Sequence, residues 1–418
     1  MAASSSSSSS SSLLFSSIFL FFLLSGSILQ IHGLEVGINY GQIANNLPSP
    51  SRVAMLLQSI GVYRVKLYDA DPNVLTAFAN SNIEFTIGLG NQDMKSVSDP
   101  SQAKVWIQTH VQPYISQTKI TCILVGNEVL GATDQQFVPY LYPAMKGVYS
   151  ALSSLGLTNQ VTVTTAHSAA ILQNSFPPSS GSFRPDLAQY LEPILDFHSK
   201  TKSPFLFNAY PFFSYMDNPN EISLDYVLFK PNQGMDDPIT KLHYDNMLYA
   251  QLDAVYAAIK KMGHSDIEVH VSETGWPSKG DPNEVGASVQ NAATYNGNLL
   301  QRVEKKEGTP GRPDVPIRVY VFALFNENLK PGPSSERNYG LYYPDVSPVY
   351  NIGLQKGYLP QLYISSGNQR TAFLEFVHFI HTEDCERQDH ITRNTLSWRQ
   401  SDITFNFPHP PKTPRHLE

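Results

Sequence analysis

Cysteine is scarce in this chain, with two residues, Cys122 and Cys385, among 418. A disulfide-stapled scaffold is thereby excluded, and a chain of this length needs none, because its core is large enough without cross-links. Cys122 lies in an apolar run and reads as a buried free thiol. Charge is also sparse: Asp, Glu, Lys and Arg make up 16% of the chain and leave a net charge of −7. No basic patch stands out, so nucleic acid is not an expected partner. No C-x-x-C pair, H-E-x-x-H helix or G-x-S-x-G turn occurs, so the common zinc and serine-hydrolase signatures are absent. No metal or cofactor is expected on that basis. The chain also lacks an Asn-x-Ser/Thr glycosylation sequon.

Long hydrophobic runs are missing too. The main apolar stretch near the start, Leu13 to Leu24, falls short of the ~20 residues needed to span a bilayer. It follows a poly-serine run from Ser4 to Ser12 and has the place of a secretory signal, although no Lys or Arg precedes it. Residues 1–33 are therefore expected to be a removed leader, with cleavage near Gly33, and not a membrane anchor.

Aromatic residues, in contrast, are plentiful, with 22 Tyr and 22 Phe. Many aromatics with few charges suit a neutral, ring-shaped ligand such as a sugar, although aromatics more often serve a core.

Short apolar segments alternate with amphipathic ones. The strand candidates are Glu35–Asn39, Arg64–Tyr68, Glu84–Leu89, Ile120–Val125, Val161–Thr165, Phe205–Ala209, Glu268–Ser272 and Arg318–Phe325. Several are continuous apolar runs, the habit of parallel strands covered on both faces. Between them lie helical patterns. Leu248, Leu252, Val255, Ile259 and Met262 step by four and three until Gly263. Val53, Leu56, Leu57 and Ile60 do the same before Gly61, and Val285, Val289, Ala292, Leu299 and Val303 outline a third. Eight strands alternating with helices predict an α/β fold, a single (β/α)₈ TIM barrel over residues 34–353. A doubly wound sheet would want a glycine-rich phosphate turn after its first strand, and Gly41-Gln42-Ile43-Ala44 is not one. Residues 354–418 change in character and read as an irregular, disordered extension.

Catalytic groups of barrel enzymes sit at the C-terminal ends of strands. The fourth strand runs into Val125-Gly126-Asn127-Glu128 and the seventh into Val271-Ser272-Glu273-Thr274-Gly275-Trp276-Pro277. Each apolar strand closes on a carboxylate, from opposite sides of an eight-stranded ring. Two carboxylates suffice for glycoside hydrolysis: one protonates the leaving oxygen, the other attacks the anomeric carbon or activates water. A lone strand-end glutamate is often only a solvated loop residue; the pair points to chemistry.

The chain resembles glycoside hydrolase family 17, the plant endo-β-1,3-glucanases. The matching segments run from Gly37-Ile38-Asn39-Tyr40-Gly41 to Pro348-Val349-Tyr350-Asn351-Ile352. Between them stand Val65-Lys66-Leu67-Tyr68-Asp69, Val125-Gly126-Asn127-Glu128, Asn208-Ala209-Tyr210-Pro211-Phe212-Phe213, Ser272-Glu273-Thr274-Gly275-Trp276-Pro277 and Phe325-Asn326-Glu327-Asn328-Leu329-Lys330. The resemblance implies endo-hydrolysis of β-1,3-glucan with retention, Glu273 as nucleophile and Glu128 as general acid/base. It also places Glu327, Lys330 and Glu336 in the site. A charge network orienting the catalytic groups is the preferred role for those three, while Glu327 and Glu336 remain rival proton donors.

Physical chemistry assigns further roles. Asn127 is suited to bond the sugar 2-hydroxyl, a contact that strengthens in the transition state. Tyr210 is positioned to donate to Glu273. Glu128 must keep its proton at working pH, which needs burial and a charged neighbour. Tyr40, Tyr68, Phe212, Phe213 and Trp276 are the aromatic candidates for a glucan cleft, Phe212 and Phe213 being equally good core residues. His270, Glu268 and Ser272 have the opposite parity to Glu273 on the seventh strand and are expected to face the helix layer, with no assigned role. Mixed-linkage β-1,3/1,4-glucanase, transglycosylase and catalytically idle glucan-binding protein are the competing readings. Intact Glu128, Asn127, Glu273 and Lys330 argue against the last. Two cysteines exclude a cysteine-rich binding module, and Pro408–Glu418 is not the terminal apolar stretch that a lipid-anchor signal needs. A monomeric, extracellular enzyme of the cell wall space without a membrane anchor is expected.

Overall fold

A computed structural model describes residues 36–354, so the leader, the tail beyond Leu354 and Cys385 lie outside the described residues. Eight parallel strands carry the architecture: β1 (Gly37–Asn39), β2 (Arg64–Lys66), β3 (Glu84–Leu89), β4 (Lys119–Asn127), β5 (Thr162–Ser168), β6 (Phe205–Asn208), β7 (Val269–Thr274) and β8 (Val319–Val321). They close into one barrel, sealed where Ile38 of β1 pairs with both Val65 of β2 and Val321 of β8. Each strand falls within or against one of the apolar segments predicted to hold it.

Seven crossover helices connect the strands: α1 (Pro50–Ser59), α2 (Pro72–Ala77), α3 (Pro100–His110), α4 (Val138–Ser154), α5 (Ala188–Thr201), α6 (Met247–Lys261) and α7 (Val289–Glu304). Their starts follow from local chemistry. Ser49, Asp71 and Asp99 accept backbone N–H bonds at the starts of α1, α2 and α3, each just before a proline whose fixed φ suits the first turn. Asn246 and Ser288 cap α6 and α7 in the same way. The third helical pattern began one turn too early. Val285 is exposed in the loop before α7, because the Ser288 cap sets the start.

The outward face of each strand packs on the helices in one continuous core that includes Val65, Phe85, Ile123, Val163, Phe207, Val271 and Val319. Burying each such side chain stabilises by roughly 1.5–3 kcal/mol. The inward face is different. Leu124, Ala166 and Leu206 form a small apolar cluster of their own. Around it the barrel interior is polar. Lys66, Thr86, Cys122, Thr162, Leu206, His270 and Tyr320, from seven strands, converge on one cavity. His270 and Glu268 therefore face the barrel interior and its lower mouth, not the helix layer, which corrects the parity argument. The reason is a β-bulge: Val271 pairs with Phe207 but Glu273 with Asn208, so β7 carries one extra residue at Ser272. The alternation breaks there, and Ser272 and Glu273 both reach the site end of the barrel.

Candidate active site

A cleft of about 610 Å³ opens at the C-terminal ends of the strands, and both strand-end carboxylates line it. Glu128 follows β4 in a tight turn. Gly126 (φ 66°) and Glu128 itself (φ 56°) lie in the left-handed region. For a non-glycine residue this conformation costs about 1–3 kcal/mol and persists only where the surroundings enforce it. Here the Glu128 amide donates to the Ala166 carbonyl at 2.9 Å. The Asn91 side chain clamps the neighbouring Asn127 backbone, accepting from its N–H at 2.8 Å and donating to its carbonyl at 3.2 Å.

Glu273 is buried at 6% exposure and surrounded by donors. Lys66 Nζ donates to Oε1 at 2.7 Å and Tyr210 Oη to Oε2 at 2.9 Å. Tyr68 is a third donor; its own oxygen accepts from Asn39 Nδ2 at 3.2 Å. Burial alone would push the Glu273 carboxyl up. The charge and hydrogen bond of Lys66, with the two tyrosines, outweigh it and hold Glu273 below the usual glutamate range. Tyr68 and Tyr210 are driven well above the usual phenol range, first by burial and then by the Glu273 charge, so both stay protonated donors.

Glu128 has the opposite environment. Burial first, and then the negative charge of Glu273, push its carboxyl up despite a hydrogen bond from Asn208. Asn208 Nδ2 donates to Glu128 Oε1 at 2.8 Å, and Ser272 Oγ donates to Asn208 Oδ1 at 2.6 Å, which fixes the amide orientation. Two carboxylates in one cleft are thus driven apart: one is pushed toward its ionised form, the other toward its protonated form. This is the arrangement that separates acid from base in a single site.

On the other wall, Glu327 accepts from the Ile43 N–H at 2.8 Å, and burial raises its carboxyl. Lys330 Nζ lies 3.1 Å from Glu336 Oε2 and 4.0 Å from the Phe322 ring centroid. Phe213 and Tyr339 add aromatic surface to the lining. Among the described residues, no group of three or more His, Cys, Asp or Glu side chains is placed to hold a metal ion.

Residues 36–354, the whole described barrel, match the family model for glycosyl hydrolases family 17. The chain belongs to that family. It is 63% identical over 348 residues to glucan endo-1,3-beta-glucosidase 14 of Arabidopsis thaliana, covering 83% of this chain and 88% of the relative. Identity to glucan endo-1,3-beta-glucosidase 11 of the same plant is 56% over 338 residues, 80% of this chain and 79% of the relative. Among solved structures, CJP38, a beta-1,3-glucanase and allergen of Cryptomeria japonica pollen, superposes with a TM-score of 0.74 at 39% identity, covering 77% of this chain and 99% of that one. A plant beta-glucan endohydrolase follows at a TM-score of 0.70 and 35% identity, covering 76% and 99%. The chain is therefore a glycoside hydrolase. No helix among the described residues is long and apolar enough to cross a membrane.

In this family 17 hydrolase the structure brings Tyr68, Asn127, Glu128, Tyr210, Phe213, Glu273, Glu327, Lys330 and Glu336 to one cleft. It does not bring Tyr40 or Trp276 there. Tyr40 is 2% exposed and packs edge-on against Phe325, because it follows the inward-facing Asn39 and so points outward. Trp276 is fully buried among Phe212 and Tyr295, and its Nε1 donates to the Gly286 carbonyl at 2.9 Å. Phe212 is a core residue as well. Sequence reasoning missed Lys66, Asn208, Phe322 and Tyr339. Lys66 left a readable signal, since a lysine inside an apolar parallel strand must be paired. Phe322 and Tyr339 left none.

Proposed function

We propose that this enzyme hydrolyses internal β-1,3-glucosidic bonds of β-glucan by retaining double displacement, outside the cell. Glu273 Oε attacks the anomeric carbon while Glu128 gives its proton to the departing glycosidic oxygen. A glycosyl ester on Glu273 results. Glu128, now ionised, takes a proton from water, which attacks the same carbon and frees Glu273. The observation that carries the reading is the contrast between the two carboxylates: Glu273 holds Lys66, Tyr68 and Tyr210 as donors, whereas Glu128 is raised by burial beside a negative charge. Donors on the nucleophile keep it ionised and aim one oxygen at the sugar. Asn127, beside the acid, lines the cleft and is suited to the 2-hydroxyl. The faces of Tyr68 and Phe213 suit the C–H faces of glucosyl rings. The names of the relatives supply the β-1,3 linkage.

Incubating the protein with laminarin and assaying reducing ends tests the activity. Glucan binding without product would overturn it. Glu128→Gln is expected to lower kcat by about 10²–10⁴-fold, the usual contribution of a general acid, and on an activated aryl glycoside, whose leaving group departs without a proton, azide is expected to restore turnover by replacing water. Near-normal activity in Glu128→Gln, with azide rescue in Glu336→Gln, would move the proton donor to Glu336.

A further inference from the structure

The bulge in β7 delivers more than Glu273. It also brings Ser272 against a side chain of the neighbouring strand β6. Ser272 is fully buried, and its carbonyl accepts from Asn39 Nδ2 at 3.0 Å. Asn39 also donates to Tyr68 Oη at 3.2 Å, so the bulge is held from β1. Ser272 Oγ has one partner among the described residues, Asn208 Oδ1 at 2.6 Å. Asn208, 2% exposed, ends β6 and turns its Nδ2 to Glu128 Oε1 at 2.8 Å. Glu128 lines the cleft, and its other oxygen, Oε2, takes no partner among the described residues.

The direction of this relay is set at its buried end. An asparagine amide fits either way round, and each way gives Glu128 a different proton. With Nδ2 toward Glu128, Oε1 is the acceptor. It accepts best as a carbonyl oxygen, which leaves the acid proton on Oε2. With the amide reversed, Oδ1 would face Oε1, and the contact would hold only with the proton trapped between them. Ser272 breaks the tie. Its hydroxyl has a proton to give, and Asn208 is its acceptor. Reversal would turn Nδ2 to Ser272 Oγ and leave that proton without a partner in a buried place, where water offers no compensation. The same orientation serves both steps of the reaction. In the first, Oε2 gives its proton to the departing oxygen as the glycosidic bond breaks. In the second, Nδ2 donates to the anion that remains, whereas a reversed amide would set an oxygen against it.

We propose that Asn208 and Ser272 are positioning residues that assign the proton of Glu128 to Oε2, so that one bulge in β7 sets both carboxylates of the site. The proposal rests on Glu128 as the acid of the glucan hydrolysis described above. Its test compares kcat/KM, which reports formation of the glycosyl-enzyme, on two substrates. Laminarin needs the Glu128 proton at that step; a dinitrophenyl β-laminaribioside, whose leaving group departs without a proton, does not. Asn208→Ala is expected to lower kcat/KM about tenfold more on laminarin than on the aryl substrate, the scale of one lost hydrogen bond in a buried site. Ser272→Ala is expected to show the same split at about threefold, because the amide is freed but not removed. It takes away one oxygen and adds no volume, so it carries the test if Asn208→Ala does not fold. Burial and the charge of Glu273 raise the Glu128 carboxyl and Glu336 adds to them, while Asn208 and Lys66 lower it. Loss of the Asn208 donor is therefore expected to move the alkaline limb of kcat/KM on laminarin to higher pH. Equal losses on the two substrates, or an unmoved limb, would overturn the assignment, since a disturbance of packing alone slows both alike. Glu128→Gln, run in parallel, keeps the two readings apart. A split in Glu128→Gln with none in Asn208→Ala removes the positioning role alone; no split in Glu128→Gln removes the acid assignment beneath it.

Discussion

Lys66 is fully buried and closes one of the tightest contacts of the site, 2.7 Å from the Glu273 carboxylate. Removing it with Lys66→Met leaves a buried carboxylate with two phenols and no cation. Breaking such a pair from one side costs about 3–5 kcal/mol. The Glu273 carboxyl is held low, so its contribution to stability is present above the unfolded glutamate value and fades as pH falls through the folded one. The Tm deficit of Lys66→Met against wild type is therefore expected to be large at neutral pH and to shrink on acidification. In the variant, the acid limb of kcat/KM moves to higher pH. A deficit independent of pH would count against the pairing. Glu128 has the opposite sign. Its carboxyl is held high, so its contribution is present below the unfolded value and lost as pH rises through the folded one. Glu128→Gln is thus expected to raise Tm at neutral pH while abolishing most activity, with the gain vanishing in acid. Thermal denaturation across pH checks both. At this scale the two glutamates were legible, because a carboxylate ending an apolar run is conspicuous. Tyr40 and Trp276 were misread: an aromatic beside a strand end takes either face, and only the closed barrel decides which.

At the scale of elements, strand existence was legible and the finer course of the chain was not. Short apolar segments, several of them continuous runs, marked all eight strands, since both faces of a barrel strand are covered. The β7 bulge left no mark in composition, and one extra residue reversed the inferred side for His270 and Ser272. The loop after β7 is held by a similar unpredicted device. Glu284, 5% exposed, accepts from the Asp281 N–H at 2.8 Å and the Ser335 N–H at 3.0 Å, and Ser335 Oγ bonds to it too. This ties the loop to the short turn Ser334–Arg337 that carries Glu336. Glu284→Ala leaves those buried donors unmatched, each costing about 1–3 kcal/mol. It is expected to lower stability by a few kcal/mol and to raise KM more than it lowers kcat, because Glu336 and Lys330 lose their support. Steady-state kinetics on laminarin, beside a melting curve, checks this. An unchanged KM would mean that the turn positions itself.

The described residues form one barrel with the candidate site at its upper end. Its upper end collects one low and one high carboxylate, and the proposed reaction needs the first ionised and the second protonated. A bell-shaped pH profile follows, its acid limb below the usual glutamate range and its alkaline limb above it. The two limbs belong to the coupled pair rather than to either residue alone. Sequence reading reached this level because family motifs and strand counting agree on one architecture. It did not reach the lower cavity, whose residues, from Arg64 to Tyr320, meet only when the ring closes. The central claim is that Glu273 is the nucleophile of a retaining reaction. Trapping with a 2-deoxy-2-fluoro laminaribiosyl fluoride, followed by proteolysis and mass spectrometry, tests it most directly. The account predicts one covalent glycosyl label, on Glu273. A label on Glu128 or Glu336, or turnover of the fluoride with inversion and no label, would contradict it.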